Sequence, residues 1–162
     1  MSNVLDYLQG RGVTFTVIPH AKAPTAAGEA HAMHLAEEEV VKTVVVMANY
    51  GPALMVIPAS RRLDLELAAQ ATGDPETRLA TERELERTFP NYELGALPPL
   101  SMLLLAPMYV DPVVADRQTI VFAAGRQDVS VAMASSALFG TDPVVITPLT
   151  AESRTSAEAP TS

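Results

Sequence analysis

A lysine stands inside a run of branched apolar residues, Val40-Val41-Lys42-Thr43-Val44-Val45-Val46-Met47. This composition predicts a buried strand. Alternation along the strand puts Lys42 on one face with Val40, Val44 and Val46, and puts Val41, Thr43, Val45 and Met47 on the other. Both faces are mainly apolar. The ammonium therefore needs a partner, a pocket mouth or a shifted pKa. A site that takes a carboxyl, ester or phosphate group supplies the partner. The competing reading is an edge lysine whose stem packs on the sheet while its head reaches water. The residues alone leave these two balanced.

Other groups with chemistry are fewer. His20 sits in the loop Pro19 to Pro24, either near a substrate or as an ordinary surface histidine. His31 and His34 share a helix face at i,i+3 spacing, but no third ligand lies near, so no metal site is expected. Thr25 reads first as an N-cap, although helix N-termini also suit phosphate. Asp111 before Pro112 either orients a loop, positions a water or simply makes a turn. Gly125 permits close approach of a ligand or turns a hairpin. Ser101, Ser130, Ser135 and Ser136 have no base partner recognisable in sequence, which disfavours a serine nucleophile. There is no cysteine, which excludes disulfides, thiolate metal sites and a cysteine nucleophile.

These residues need elements to hold them. A short helix over Val4 to Leu8 ends at Gly10 or Gly12, and a strand covers Val13 to Ile18. Thr25 opens an Ala-rich helix to about His34. The Lys42 strand turns at Tyr50-Gly51-Pro52 into a hairpin partner over Ala53 to Pro58. Ser60 is placed to cap a helix through Leu63, Leu67 and Ala68 that stops near Gly73. A brief strand at Arg78 to Ala80 precedes a capping box, Thr81 and Glu84. Gly95-Ala96-Leu97-Pro98-Pro99 must be irregular, because prolines cannot donate to a ladder. Strands are expected over Met102 to Ala106, Thr119 to Ala123, Asp128 to Ala132 and Val144 to Thr147, with a helix over Ala134 to Phe139. Strands dominate without regular βαβ alternation. The expected fold is α+β, with a mixed, mostly antiparallel, curved or barrel-like sheet and flanking helices. Residues 1–150 form one domain, and 151–162, without apolar periodicity, read as a disordered tail.

The formal net charge of −8 argues against broad binding to DNA or RNA, which needs phosphate neutralisation, but leaves room for a pocket that takes the end of an RNA strand. No stretch is long and apolar enough for a membrane span, and no secretory signal is visible, so a cytoplasmic location is the expectation. Glycine-rich nucleotide motifs and a GxSxG elbow are absent.

Four segments in order carry a family resemblance. They are His20-Ala21-Lys22-Ala23-Pro24-Thr25-Ala26-Ala27-Gly28-Glu29; Val41 to Val46 with Val56-Ile57-Pro58-Ala59-Ser60; Glu93-Leu94-Gly95-Ala96-Leu97-Pro98-Pro99; and Val110-Asp111 followed by Phe122-Ala123-Ala124-Gly125. The chain resembles the YbaK-type, or prolyl-tRNA-synthetase-associated, domains over roughly residues 3–148. The resemblance implies hydrolysis of an ester between an amino acid and the terminal adenosine of a tRNA, with no cofactor. It implies Lys42 as the catalytic or substrate-binding strand lysine and Gly95 and Pro99 as the loop that shapes the aminoacyl pocket. His20, Thr25, Leu97, Pro98, Asp111 and Gly125 are the remaining candidate binding residues, and Leu97, Leu100 and Met102 are expected to line the pocket. The implied partners are the acceptor end of a mischarged tRNA and, further off, an aminoacyl-tRNA synthetase, for a monomer or homodimer. Two departures stand out. Leu100-Ser101 replaces a frequent Phe-Gly, and Arg126-Gln127 stands where many relatives have Ser/Thr-His. The expected function is a trans-acting deacylase that removes a mischarged small amino acid. The alternative is a non-catalytic member that binds an aminoacyl-nucleotide or a protein.

Overall fold

The computed structural model describes residues 3–140 and 142–157. Helix α1 (Asn3–Gly10) leads into β1 (Phe15–Pro19) and α2 (Ala26–Ala32). A 3-10 turn at Glu37–Glu39 feeds the hairpin β2 (Val41–Ala48) and β3 (Gly51–Pro58). Then come α3 (Leu65–Thr72), β4 (Arg78–Leu79), α4 (Glu82–Thr88), α5 (Ser101–Leu104), β5 (Met108–Val110) and α6 (Pro112–Ala115). The second hairpin, β6 (Thr119–Arg126) and β7 (Val129–Ala134), is followed by α7 (Ser135–Phe139), β8 (Val145–Ile146) and α8 (Ala151–Ala157).

The fold is α+β with flanking helices, as the pattern of elements predicts. The strands make two sheets that do not close into a barrel. One has the order β1-β7-β6 and the other β4-β2-β3-β5-β8. All pairings are antiparallel except β3–β5 and β5–β8. A parallel bridge between Val40 and Val121 joins the sheets. The main core lies between them, with Val41, Val45, Leu54 and Val56 from one sheet meeting Ile120, Phe122 and Val131 from the other. On the opposite face of β2 and β3, Val46, Met55 and Ile57 pack under Ala68 of α3. Burial of such side chains is the main stabilising term. Among the described residues no helix is long and apolar enough to cross a membrane.

Three expectations are corrected. The strand expected over Met102 to Ala106 is the helix α5. An unbroken apolar run has no period to tell helix from strand. Here Leu100 and Leu104, four apart, are buried while Met102 is exposed. The Met102 N–H donates to Asp142 Oδ2 at 3.1 Å, and the Ser101 hydroxyl to the same oxygen at 3.4 Å. The α3 cap is Asp64, not Ser60, with Oδ1 accepting from the N–H groups of Glu66 (2.9 Å) and Leu67 (3.1 Å). Residues 151–157 of the expected tail form α8; 158–162 lie outside the described residues. Polar contacts hold α8 in place. Ser153 Oγ donates to buried Asp111 at 2.6 Å, and Arg61 donates to Ser153 and Thr150 at 3.1 and 3.2 Å.

Candidate functional site

The site begins as a gap in strand pairing. β3 covers one edge of β2 along its whole length. On the other edge β4 pairs only with Val46 and Met47, and Ala80 N–H donates to the Val45 carbonyl at 3.0 Å. The Val40–Val121 bridge holds the start of the strand. Between these two clamps, at Thr43, the edge has no strand partner among the described residues. Backbone groups alternate along a strand, so those of Thr43 face the same edge as the Val45 carbonyl. The Thr43 hydroxyl is also buried without a hydrogen-bond partner.

A cavity of ≈410 Å³ opens on this gap, within the usual range for small-molecule sites. Lys42 and Thr43 meet Thr25 and Glu29 of the α2 segment and Gly95 and Leu97 of the irregular loop. Val45, Ala80, Leu85 and Ala123 supply apolar wall. Gly95 lets the two loops close on each other. It has φ +77°, and a Cβ built there would lie 2.0 Å from the Pro24 carbonyl oxygen. Four hydrogen bonds tie the same loop to the β6–β7 turn. Glu93 N–H donates to Gly125 O (2.9 Å), Gly125 N–H to Ala96 O (2.9 Å), Gln127 N–H to Glu93 Oε1 (2.7 Å) and Gln127 Nε2 to Leu94 O (2.8 Å). A larger hollow of ≈590 Å³ runs beside α3. It is an open groove whose only ionisable lining residue is Glu66.

Lys42 is half-buried and has no hydrogen-bond or ion-pair partner among the described residues. Burial, with the Arg62 guanidinium nearby, holds its pKa below the ordinary lysine value, against a smaller opposing pull from Glu37. Glu29 is the second ionisable group in the lining. It is 1 % exposed, and burial pushes its carboxyl up to about 7, against a lowering hydrogen bond from Ser130. Glu29 Oε2 lies 3.0 Å from Ser130 Oγ, which lies 2.9 Å from His20 Nε2. His20 Nδ1 is 2.8 Å from the Ala21 carbonyl.

The candidate residues divide sharply. Lys42, Thr25, Gly95 and Leu97 line the cavity together. His20 does not line it; it lies behind Glu29 through Ser130. Pro98 and Pro99 are buried but outside the lining, and Leu100 is in the main core. Met102 is 49 % exposed. Leu100 and Met102 therefore do not line the cavity, contrary to expectation. Leu100, the extended residue that precedes α5, packs inward, and Met102 in the helix faces solvent. Gly125 acts through the loop ties above, packed on the Tyr92 ring. Asp111 is not in the cavity lining and caps α6. Ser130 does have a histidine beside it, contrary to expectation, but it has no exposed surface. An enclosed hydroxyl between two side chains is a bridge, not a nucleophile.

The model of the aminoacyl-tRNA editing domain matches residues 20–140. The chain belongs to this family. A relative from Enterococcus faecalis, named as the Cys-tRNA(Pro)/Cys-tRNA(Cys) deacylase EbsC, is 27 % identical over 115 residues, 70 % of each protein. Among solved structures, the hypothetical protein APE2540 superposes with a TM-score of 0.82 at 25 % identity, covering 90 % of this chain and 97 % of that one. A protein described as a trans-editing enzyme for prolyl-tRNA synthetase gives 0.79 at 23 % identity, covering 91 % and 94 %. The latter likeness concerns the fold.

Within this editing domain, the residues that sequence reasoning does not single out are Glu29 and Thr43, and it weighs Ser130 only as a nucleophile, not as a partner of Glu29. Glu29 had a signal. Ala26, Glu29 and Ala30 recur at i, i+3 and i+4, the buried face of an Ala-rich helix. An acid at such a position calls for an explanation.

Proposed function

We propose that this chain is a trans-acting aminoacyl-tRNA deacylase that hydrolyses the ester of a mischarged small amino acid, such as alanine or cysteine. The observation that carries the reading is the unpaired, half-buried Lys42 beside the uncovered Thr43 edge, within a cavity of suitable size. A water attacks the ester carbonyl carbon, oriented by a neighbouring ribose hydroxyl of the substrate. Negative charge develops on the carbonyl oxygen. In this reading the Lys42 ammonium and the Thr43 N–H, both of residues that line the cavity, stabilise that charge. The bond to the ribose oxygen then breaks, and that oxygen takes up the proton given up by the water, leaving a free amino acid and a ribose hydroxyl. The protein supplies position and charge, so no protein nucleophile is needed. The apolar wall of Val45, Ala80, Leu85 and Leu97 limits the side chain by shape. The net charge of −8 suits recognition confined to the acceptor end. An aminoacyl-tRNA synthetase is a further candidate partner.

The test is incubation with a panel of mischarged tRNAs, with release of the amino acid as the readout. Turnover of small aminoacyl esters and sparing of large ones is the expected result. Binding without turnover across the panel would instead mark a non-catalytic binding module.

A further inference from the structure

Glu29 is a carboxyl group with one oxygen engaged and the other idle. Oε2 meets Ser130, while Oε1 is buried with no hydrogen-bond partner among the described residues. An unpaired buried carboxyl oxygen is costly unless something else uses it.

The hydrogen bonds behind it can be counted. The Ala21 carbonyl cannot donate, so His20 Nδ1 carries a proton. The links from Nε2 to Ser130 and from Ser130 to Oε2 need two more protons, and the serine owns one. The last resides on either His20 or Glu29. The chain therefore exists as a neutral pair or, by passing one proton through Ser130, as imidazolium and carboxylate. The second form lets Glu29 become an anion without the cluster gaining net charge. His20 Nε2 lies 3.9 Å from Glu29 Oε2 and steadies that anion.

The same cavity holds Lys42, so its lining offers one cation and one potential anion. An aminoacyl ester presents the complementary pair on adjacent carbons, an electron-rich carbonyl and an α-ammonium. We infer that Glu29 recognises the free α-ammonium group of the aminoacyl moiety through its idle Oε1, with Ser130 and His20 as positioning residues that supply the carboxylate form. This rests on the deacylase reading and adds a requirement to it: the substrate's amino group must be unblocked and charged.

The test uses three non-hydrolysable adenosine amides: 3′-alanylamino, its lactyl isostere with hydroxyl in place of amine, and its N-acetyl derivative. Each is titrated calorimetrically into the full chain. The wild type is expected to bind the alanyl compound roughly 10-fold to 100-fold more tightly than the lactyl one, the worth of a charged hydrogen bond. Glu29→Gln keeps shape and removes the charge, and should bind the two equally. The N-acetyl compound should bind no better than the lactyl compound to either protein. Equal binding of alanyl and lactyl compounds by wild type, or an unchanged preference in Glu29→Gln, overturns the inference and leaves the deacylase reading standing. Failure of all three to bind wild type overturns both. If melting curves show that Glu29→Gln does not fold, Glu29→Asp decides. Its charge is withdrawn by one methylene, so the preference should fall severalfold, and an undiminished preference overturns the inference.

Discussion

Glu29 and Asp111 are both buried carboxylates, and their surroundings could hardly differ more. Asp111 Oδ1 accepts from Val113 N–H (3.0 Å) and the Ser153 hydroxyl (2.6 Å). Its Oδ2 accepts from Leu149 N–H (3.0 Å) and the Thr150 hydroxyl (3.2 Å). Each oxygen is fully occupied, and the group ties α6, the segment after β8 and α8 together. Glu29 has one hydroxyl on one oxygen and, among the described residues, no hydrogen-bond partner on the other. Burial alone does not separate a structural acid from a functional one. The satisfaction of its lone pairs does. The same contrast holds for cations. Arg61 is committed to Thr150 and Ser153, whereas Lys42 has no hydrogen-bond or ion-pair partner among the described residues.

The largest expected effect tests the satisfied end of this contrast. Asp111→Ala orphans two backbone N–H groups and two hydroxyls, and should lower unfolding free energy by about 4 kcal/mol. Urea denaturation measures it, and deacylation per folded molecule should be unchanged. A loss below about 1 kcal/mol would show that the four hydrogen bonds do not act together. Truncation at residue 150 removes Ser153 and should destabilise in the same direction by less.

Lys42→Ala probes the unsatisfied end. Removing a charged group from the reacting carbonyl should slow deacylation roughly tenfold to a hundredfold, about 1.5–3 kcal/mol. The melting temperature should hold, since the desolvation of an unpaired ammonium goes with it. Lys42→Arg should restore activity only in part, because guanidinium is larger and planar. An alanine variant with full activity would remove Lys42 from the site.

The effect at Glu29 depends on pH. Its carboxyl is raised from 4.5 to about 7 in the folded state. Between those values the native protein binds the proton that the unfolded chain has released, so stability falls as pH rises through that window. It is highest below about 4.5 and levels off above about 7. Glu29→Gln, which cannot ionise, should lose this slope. Relative to wild type it should gain stability between pH 4 and pH 8, by about 2 to 3 kcal/mol for a shift of this size, since the altered Ser130 contact is the same at both pH values and cancels. Denaturation midpoints at the two pH values measure this. Parallel pH profiles for the two proteins would show that Glu29 is not desolvated.

Much of the site was legible because its signals are local. The β2 run, the hairpin turn, the Thr25 cap and the proline-rich loop after Gly95 each depend on neighbours in sequence. Lys42 betrayed itself by sitting where only apolar residues belong. What stayed hidden depends on contacts between distant segments. Ser130 meets Glu29 across 101 residues, and nothing near either one announces the other. α8 lacks an apolar stripe and is held by Asp111, so periodicity reads it as tail. α5 reads as a strand because five apolar residues in a row carry no period, and its first turn is held by Asp142, 40 residues on.

The four hydrogen bonds between the Gly95 loop and the β6–β7 turn have a mechanical consequence. They make one wall of the cavity part of the second hairpin, so the wall cannot swing without breaking a whole ladder. Three of the four donors are backbone amides, those of Glu93, Gly125 and Gln127. Their protons are shielded by the same closed arrangement, and hydrogen exchange at any of them reports a single opening event. A ligand that fills the cavity should therefore slow exchange at all three in step.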